Sequence, residues 1–149
     1  VISSYFGLSG LELTRRNQAM SYHMKYAVEY VDPDFEMLYD KVLISKGDLL
    51  GIQNPAVTAV VTDKLTYTWS DNSGQGQAKA TDKLVVVVYA PTEDLYYISL
   101  NAATRSEATS TVQLPAEFNG LEVLSWITFA SEDNKKYATS VYMGAILVV

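Results

Sequence analysis

The sequence predicts a mostly β domain: a fibronectin type III-like or immunoglobulin-like antiparallel sandwich of seven or eight strands, preceded by one α-helix. Three observations lead there. After Pro33 the chain breaks into short runs rich in Val, Thr, Tyr and Trp with a period of two, separated by turn chemistry. One of these runs, KLVVVVYA at 83–90, is apolar on both faces, as a strand covered on both sides must be. The 149 residues, 48% hydrophobic, suffice for one well-buried core and are too few for two ordinary domains.

Taken in order, residues 1–32 read as an N-terminal arm and helix, and residues 33–149 as the sandwich. The helix is predicted over 14–31, where good helix formers dominate, no Pro or Gly intervenes, Thr14 is a candidate N-cap and Asp32-Pro33 supplies the stop. Its Met20, Met24, Ala27 and Val31 form an apolar stripe that tyrosines widen on one side. Strands are predicted at 41–45 (KVLIS), 56–61 (AVTAVV), 65–69 (LTYTW), 83–90, 95–100 (LYYISL), 110–114 (STVQL), 121–130 (LEVLSWITFA) and 137–149. Leu65, Tyr67 and Trp69 should alternate inward, and Leu114-Pro115 followed by Gly120 resembles the corner between the fifth and sixth strands of such sandwiches. With no cysteine there is no inter-sheet disulfide, so Trp69, Trp126 and Phe129 must supply core bulk by packing alone.

Composition narrows the function classes. A net charge of −6 leaves no basic footprint for nucleic acid or anionic lipid. The absence of cysteine removes thiolate metal sites and cysteine nucleophiles. No run approaches the ~18 consecutive apolar residues of a membrane-spanning helix, and the opening Val1, without a positively charged leader region, suggests a processed or truncated start.

The stretch TWSDNSGQGQAKATDK, residues 68–83, has the residue types of a ligand site. Asp71, Ser73, Gln75, Gly76 and Asp82 occupy positions 1, 3, 5, 6 and 12 of a calcium-loop template. Position 9 is Lys79, position 12 is not the bidentate Glu, and the flanks are strands where an EF-hand needs helices, so the stretch reads as a loop joining two strands. The same flanks argue against phosphate cradling, since Gly74-Gln75-Gly76 is followed by no helix N-terminus or Lys-Ser/Thr pair. His23, the one histidine, reads as a packed border residue of the helix. The acid pairs Glu93-Asp94 and Glu132-Asp133 fall in predicted turns, and neighbours on a strand point oppositely, which does not suit the two facing carboxylates of a glycosidase. No catalytic residue, metal ligand or cofactor site is predicted, and the chain reads as a non-enzyme.

The tyrosines suggest an interface. Tyr22, Tyr26 and Tyr30 recur at four-residue spacing beside a stripe that already provides a sheet-facing side. Both chain ends are apolar: VISSYFGLSGL contributes Val1, Ile2, Tyr5, Phe6 and Leu8, and GAILVV contributes Ile146, Leu147, Val148 and Val149. Such ends need cover, from their own sheet or from a neighbour by strand addition.

The runs NQAMSYHMKYAV, YDKVLISKGDL, NPAV, TYTWSDNSGQGQAKATDKLVVVVYAP, ATRSEATSTVQLP and YATSVYMG resemble, in order, the motifs of an uncharacterised family of Bacteroidota proteins, a domain of unknown function. The resemblance spans nearly the whole chain. Members look longer at the N terminus, with a glycine-rich basic segment, and tend to Tyr at Trp126 and to Gly at Asn134. The resemblance implies no activity and no residue roles; it does imply that the glycine loop belongs to a shared framework. The expected function is a structural subunit that self-assembles as a homo-oligomer or polymer, in a cell-surface or extracellular filament or similar assembly. The alternative is a sandwich module that binds a glycan or a protein.

Overall fold

The computed structural model describes residues 28–31 and 34–149. The sandwich is built from two antiparallel sheets. One contains β3 (Gln53–Thr58), β4 (Lys64–Ser70) and β7 (Thr109–Gln113) in the order β3-β4-β7. The other contains β5 (Lys83–Ala90), β6 (Leu95–Ser99), β8 (Glu122–Ala130) and β9 (Val141–Leu147) in the order β6-β5-β8-β9. The chain changes sheets between β4 and β5, and again before and after β7.

Inward side chains alternate as the sequence requires. Leu65, Tyr67 and Trp69 of β4 meet Leu84, Val86 and Val88 of β5 and Val123, Ile127 and Phe129 of β8 in one core. Trp69 packs edge-on against Phe129 at 5.9 Å between ring centroids. The corner after β7 closes this core from below: Leu114 and Phe118 are buried, a 3-10 turn spans Ala116–Phe118, and Gly120 adopts φ +79°.

Several sequence expectations need correction. The last four residues of the predicted helix, Val28–Val31, form strand β1, paired antiparallel with β2 (Asp34–Met37) from Val28↔Met37 to Val31↔Asp34. Val-Glu-Tyr-Val is as good a two-period strand as it is a helix end, and pairing with Asp-Phe-Glu-Met decides between them. Residues 14–27 of that helix lie outside the described residues. Residues 41–45 are not a strand. A 3-10 turn at Tyr39–Lys41 leads into a segment laid across the outer face of the four-stranded sheet. Val42 O accepts from Trp126 Nε1 at 3.0 Å, and Ile44 N donates to Ser140 Oγ at 2.9 Å. Ser45 Oγ donates to Ala138 O at 2.7 Å. Side-chain hydrogen bonds, with one main-chain bond from Ser140 N to Ser45 O at 3.1 Å, hold the segment where a strand would have a ladder.

β3 begins three residues before its predicted start because, at a sheet edge, Pro55 needs no ladder donor. It ends at Thr58, leaving Val60 and Val61 exposed in the turn before β4. β9 is shorter than predicted and carries a bulge: between the pairs Leu124↔Ala145 and Trp126↔Tyr142, Ser125 of β8 opposes both Met143 and Gly144, the latter at φ +82°.

The segment 39–45 explains why β8 is buried on both faces. Beneath it, Val87, Leu124 and Trp126 form a second apolar cluster with Ile44, bordered by Tyr39, Val42, Tyr89 and Tyr142. Trp126 therefore supplies bulk to this outer cluster instead of the space between the sheets.

Candidate functional site

Two places bear on function: the polar loop between β4 and β5, and the outer edge of β6. The loop's backbone turns are local. Gly74 N donates to Ala78 O at 2.9 Å, Ala78 N donates to Gln75 O at 3.0 Å, and Gly74 and Gly76 adopt φ of +84° and +57°, which a residue with a Cβ resists. Asp71 accepts from the backbone and side chain of Ser73 in an Asx-type turn. Donation by the Ser73 hydroxyl, then by its amide, holds the Asp71 carboxyl below the usual carboxylate range although it is fully exposed.

Two further polar residues of the loop, Asn72 and Asp82, face inward. The side chain of Arg105, from the loop before β7, is completely buried. Its Nε and Nη2 each lie 3.0 Å from Asp82 Oδ2, Nη1 donates to Asn72 Oδ1 at 2.7 Å, and Nη2 donates to Leu50 O at 2.9 Å. Its guanidinium carbon sits 4.0 Å from the centre of the Phe129 ring. Asn72 and Asp82 are themselves buried, and the Asn72 amide donates to Gly51 O at 3.0 Å. Trp69 Nε1 closes the network by donating to Arg105 O at 2.8 Å.

Burial pulls the Arg105 pKa down from its ordinary value while Asp82 acts to raise it, and the pairing offsets the cost of holding the charge in the interior. The capping box of Thr104 and Glu107 fixes the 3-10 turn Arg105–Glu107 that aims this side chain inward. The two acids of the calcium-like pattern are thus engaged separately, Asp71 by Ser73 and Asp82 by Arg105. The guanidinium, fixed by two side chains and one main-chain oxygen, is the cation around which the loop closes.

The acid pairs lie in turns. Asp94, at φ +52°, accepts from the Tyr89 hydroxyl at 3.2 Å, and Asp133 accepts from Lys135 N at 3.0 Å. A polar cleft of about 260 Å³ separates the glycine loop from the 131–136 turn. Lys79, Lys136, Asp82, Glu132 and Asp133 all line it, and Lys136 Nζ donates across it to Gln77 Oε1 at 2.6 Å, so no single charge sign is focused there.

Of the residues predicted to form an interface, Val1, Ile2, Tyr5, Phe6, Leu8, Tyr22 and Tyr26 lie outside the described residues, as does His23. Tyr30 lies in β1, opposite Phe35 in the backbone register. At the C terminus, Val148 is a correction: it is fully buried in the chain's own core, its amide donating to Leu121 O at 3.0 Å and its carbonyl accepting from Gly120 N at 2.8 Å. Ile146 is half-buried against the same core, while Leu147 and Val149 are exposed. The chain's own fold therefore covers part of an end that composition alone leaves open.

Sequence reasoning missed two sets of residues. Arg105 was not singled out as a buried residue, although its setting among Ala102, Ala103 and Ser106 gives it room to enter the core. Tyr96, Ile98 and Leu100 read simply as strand residues, yet Tyr96 and Ile98 on the outer face of β6 and Leu100 just past its end are 61%, 41% and 51% exposed. Tyr96 stacks on Tyr89 at 4.5 Å, ending an aromatic row that runs through Tyr39 and Trp126 to Tyr142. The missing signal was strand order, which turns an ordinary LYYISL run into a sheet edge.

The three-plus-four division and the antiparallel pairing define a β-sandwich that holds a buried polar network. The chain belongs to a family of unknown function (DUF6266), whose model matches residues 4–144. It is similar to the fibronectin type III domain of human collagen α1(XX) chain, known from a solution structure. That similarity has a TM-score of 0.49 and 8% identity, over 68% of this chain and 86% of that one. No curated protein matches the chain. Among the described residues no helix is long and apolar enough to cross a membrane.

Proposed function

We propose that this chain is a non-enzymatic structural subunit that associates with further copies of itself through strand addition. The observation that carries this reading is the edge of β6, where Tyr96, Ile98 and Leu100 present one apolar strip to solvent beside main chain that has no partner among the described residues other than β5. The buried Arg105–Asp82–Asn72 network supports it by making the adjoining loop a rigid part of the scaffold. Sedimentation of the intact chain over rising concentration tests the reading: mass above the monomer is expected, and a strict monomer at every concentration overturns it.

A second reading, a module that binds a glycan or a protein, is favoured by the exposed Tyr96 ring, whose stacking on Tyr89 presents a flat aromatic surface of the kind that receives a sugar face. Binding of glycans by the monomer, lost in Tyr96→Ala, is the outcome that selects it.

A further inference from the structure

A sandwich of two open sheets has four edges, and this one treats them differently. β3 carries Pro55, a left-handed Asn54 and a register break between Gln53 and Ala56. β9 is bent by the bulge at Gly144. β7 exposes Thr109, Thr111 and Gln113. The proline and the breaks in register are means by which sheets discourage pairing with another chain, whereas β7, although regular and uncharged, turns only polar side chains outward. β6 has none of them. It pairs with β5 over five consecutive residues without a register shift, from Val86↔Ser99 to Ala90↔Leu95, and contains no Pro, Gly or charged residue. Among the described residues its backbone is bonded to β5 alone, so the donors and acceptors of its outer edge are unmatched.

From this contrast, and resting on the self-associating subunit proposed above, we infer that β6 is the seam of a two-fold dimer, in which it pairs antiparallel with β6 of a second copy to make one continuous eight-stranded sheet. The strand's own pattern argues for a copy of itself as the occupant. With the axis at Tyr97, the centre of Leu95–Ser99, Tyr96 of one chain lies opposite Ile98 of the other, twice, on the outer face. These are aromatic and β-branched pairs, which favour antiparallel pairing. The same register sets Glu93 against Asn101 and Asp94 against Leu100, so no like charges meet. The acidic turns of the two chains fall eight residues apart along the seam, roughly 25 Å at the rise of a strand, well beyond the ~8 Å screening length at physiological salt. A chain of net charge −6 thereby meets its copy along a neutral stretch. Five residues a side make a small contact, and interfaces below about 1,200 Å² are weak and transient, so association belongs at high protein concentration.

The test is sedimentation equilibrium of the intact chain, Ile98→Lys, Tyr96→Lys and Val61→Lys, with thermal melting of each to verify the fold. Ile98 and Tyr96 face outward, so both variants retain the core. The intact chain and Val61→Lys, whose site is an exposed turn away from β6, should rise toward twice the monomer mass, while Ile98→Lys and Tyr96→Lys associate at least about ten-fold more weakly, the change expected from about 1.4 kcal/mol. If the intact chain associates and both β6 variants do so equally well, the seam lies elsewhere and the self-associating reading survives. If masses climb past the dimer in the β6 variants and intact chain alike, the closed two-fold seam is equally wrong. If every protein is monomeric throughout, the seam and the reading both fall.

Discussion

The loop at residues 70–82 and strand β6 lie on the same sandwich and are closed to different degrees. In the loop, the buried polar groups and the turns are matched internally: Asp82 and Asn72 by Arg105, Asp71 by Ser73, and Gly74 N by Ala78 O. In β6, apolar side chains and main-chain groups stand at an edge that no described element covers. The difference teaches that availability for binding follows from what is left unmatched and not from how polar a stretch is. A carboxylate already held by a buried guanidinium has little capacity left for a ligand, whereas an uncharged edge strand retains the donors and acceptors of its open side.

The largest test of this contrast is Arg105→Met. It leaves Asp82 buried without its counter-charge, and chemical denaturation should show a loss of about 3–5 kcal/mol. Adding Asp82→Leu should recover much of that loss, since replacing both members of a buried pair costs far less than removing one. A small effect of Arg105→Met would mean that the loop is not held by the pair. Trp69→Ala should cost a similar ~3–5 kcal/mol, by opening a cavity beside Phe129 and freeing Arg105 O.

A smaller effect concerns Tyr67. Its hydroxyl lies buried opposite that of Ser125, neither in full hydrogen-bond geometry with a partner among the described residues, and burial pushes the Tyr67 pKa up to about 12. The unfolded chain ionises this group near pH 10. Its contribution to stability is therefore complete below that pH and is lost as pH rises through the window to about 12, at ~1.4 kcal/mol per pH unit. Denaturation midpoints of Tyr67→Phe should lack that alkaline slope; an identical slope in both proteins would assign it to other tyrosines.

The smallest effect should be at Asp71, which is exposed. Asp71→Asn should leave the denaturation midpoint nearly unchanged, and calcium or a chelator should leave the melting temperature of either protein unmoved. A calcium-dependent shift lost in Asp71→Asn would reopen the loop as a metal site.

How far the sequence exposes these features depends on the range of the interactions that make them. The inward alternation of Leu65, Tyr67 and Trp69, the doubly covered run 83–90 and the corner after Leu114 rest on local periodicity and turn chemistry, and all three stand in the structure. The segment 41–45 misleads because its Val and Ile are apolar for a reason that period cannot state: they cover Trp126 and Leu124 from across the sheet. Val28–Val31 misleads because four residues cannot distinguish a helix end from a strand without knowing the partner. Arg105 and Asp82, 23 positions apart, become a pair only once β5 and the loop before β7 are side by side. The β6 edge likewise exists only once the strand order is known.

The central claim, one region closed and the other open to a second copy, is tested most directly by amide hydrogen exchange on the intact chain at low and high concentration. We predict that Arg105, Ser106 and Ala78, whose amides are bonded within the loop network, exchange slowly and equally at both concentrations. The outward-facing amides of Leu95–Ser99 should exchange quickly when dilute and gain protection as concentration rises. Concentration-dependent protection confined to the loop, or fast exchange of β6 at every concentration with the chain associating nonetheless, would contradict the account.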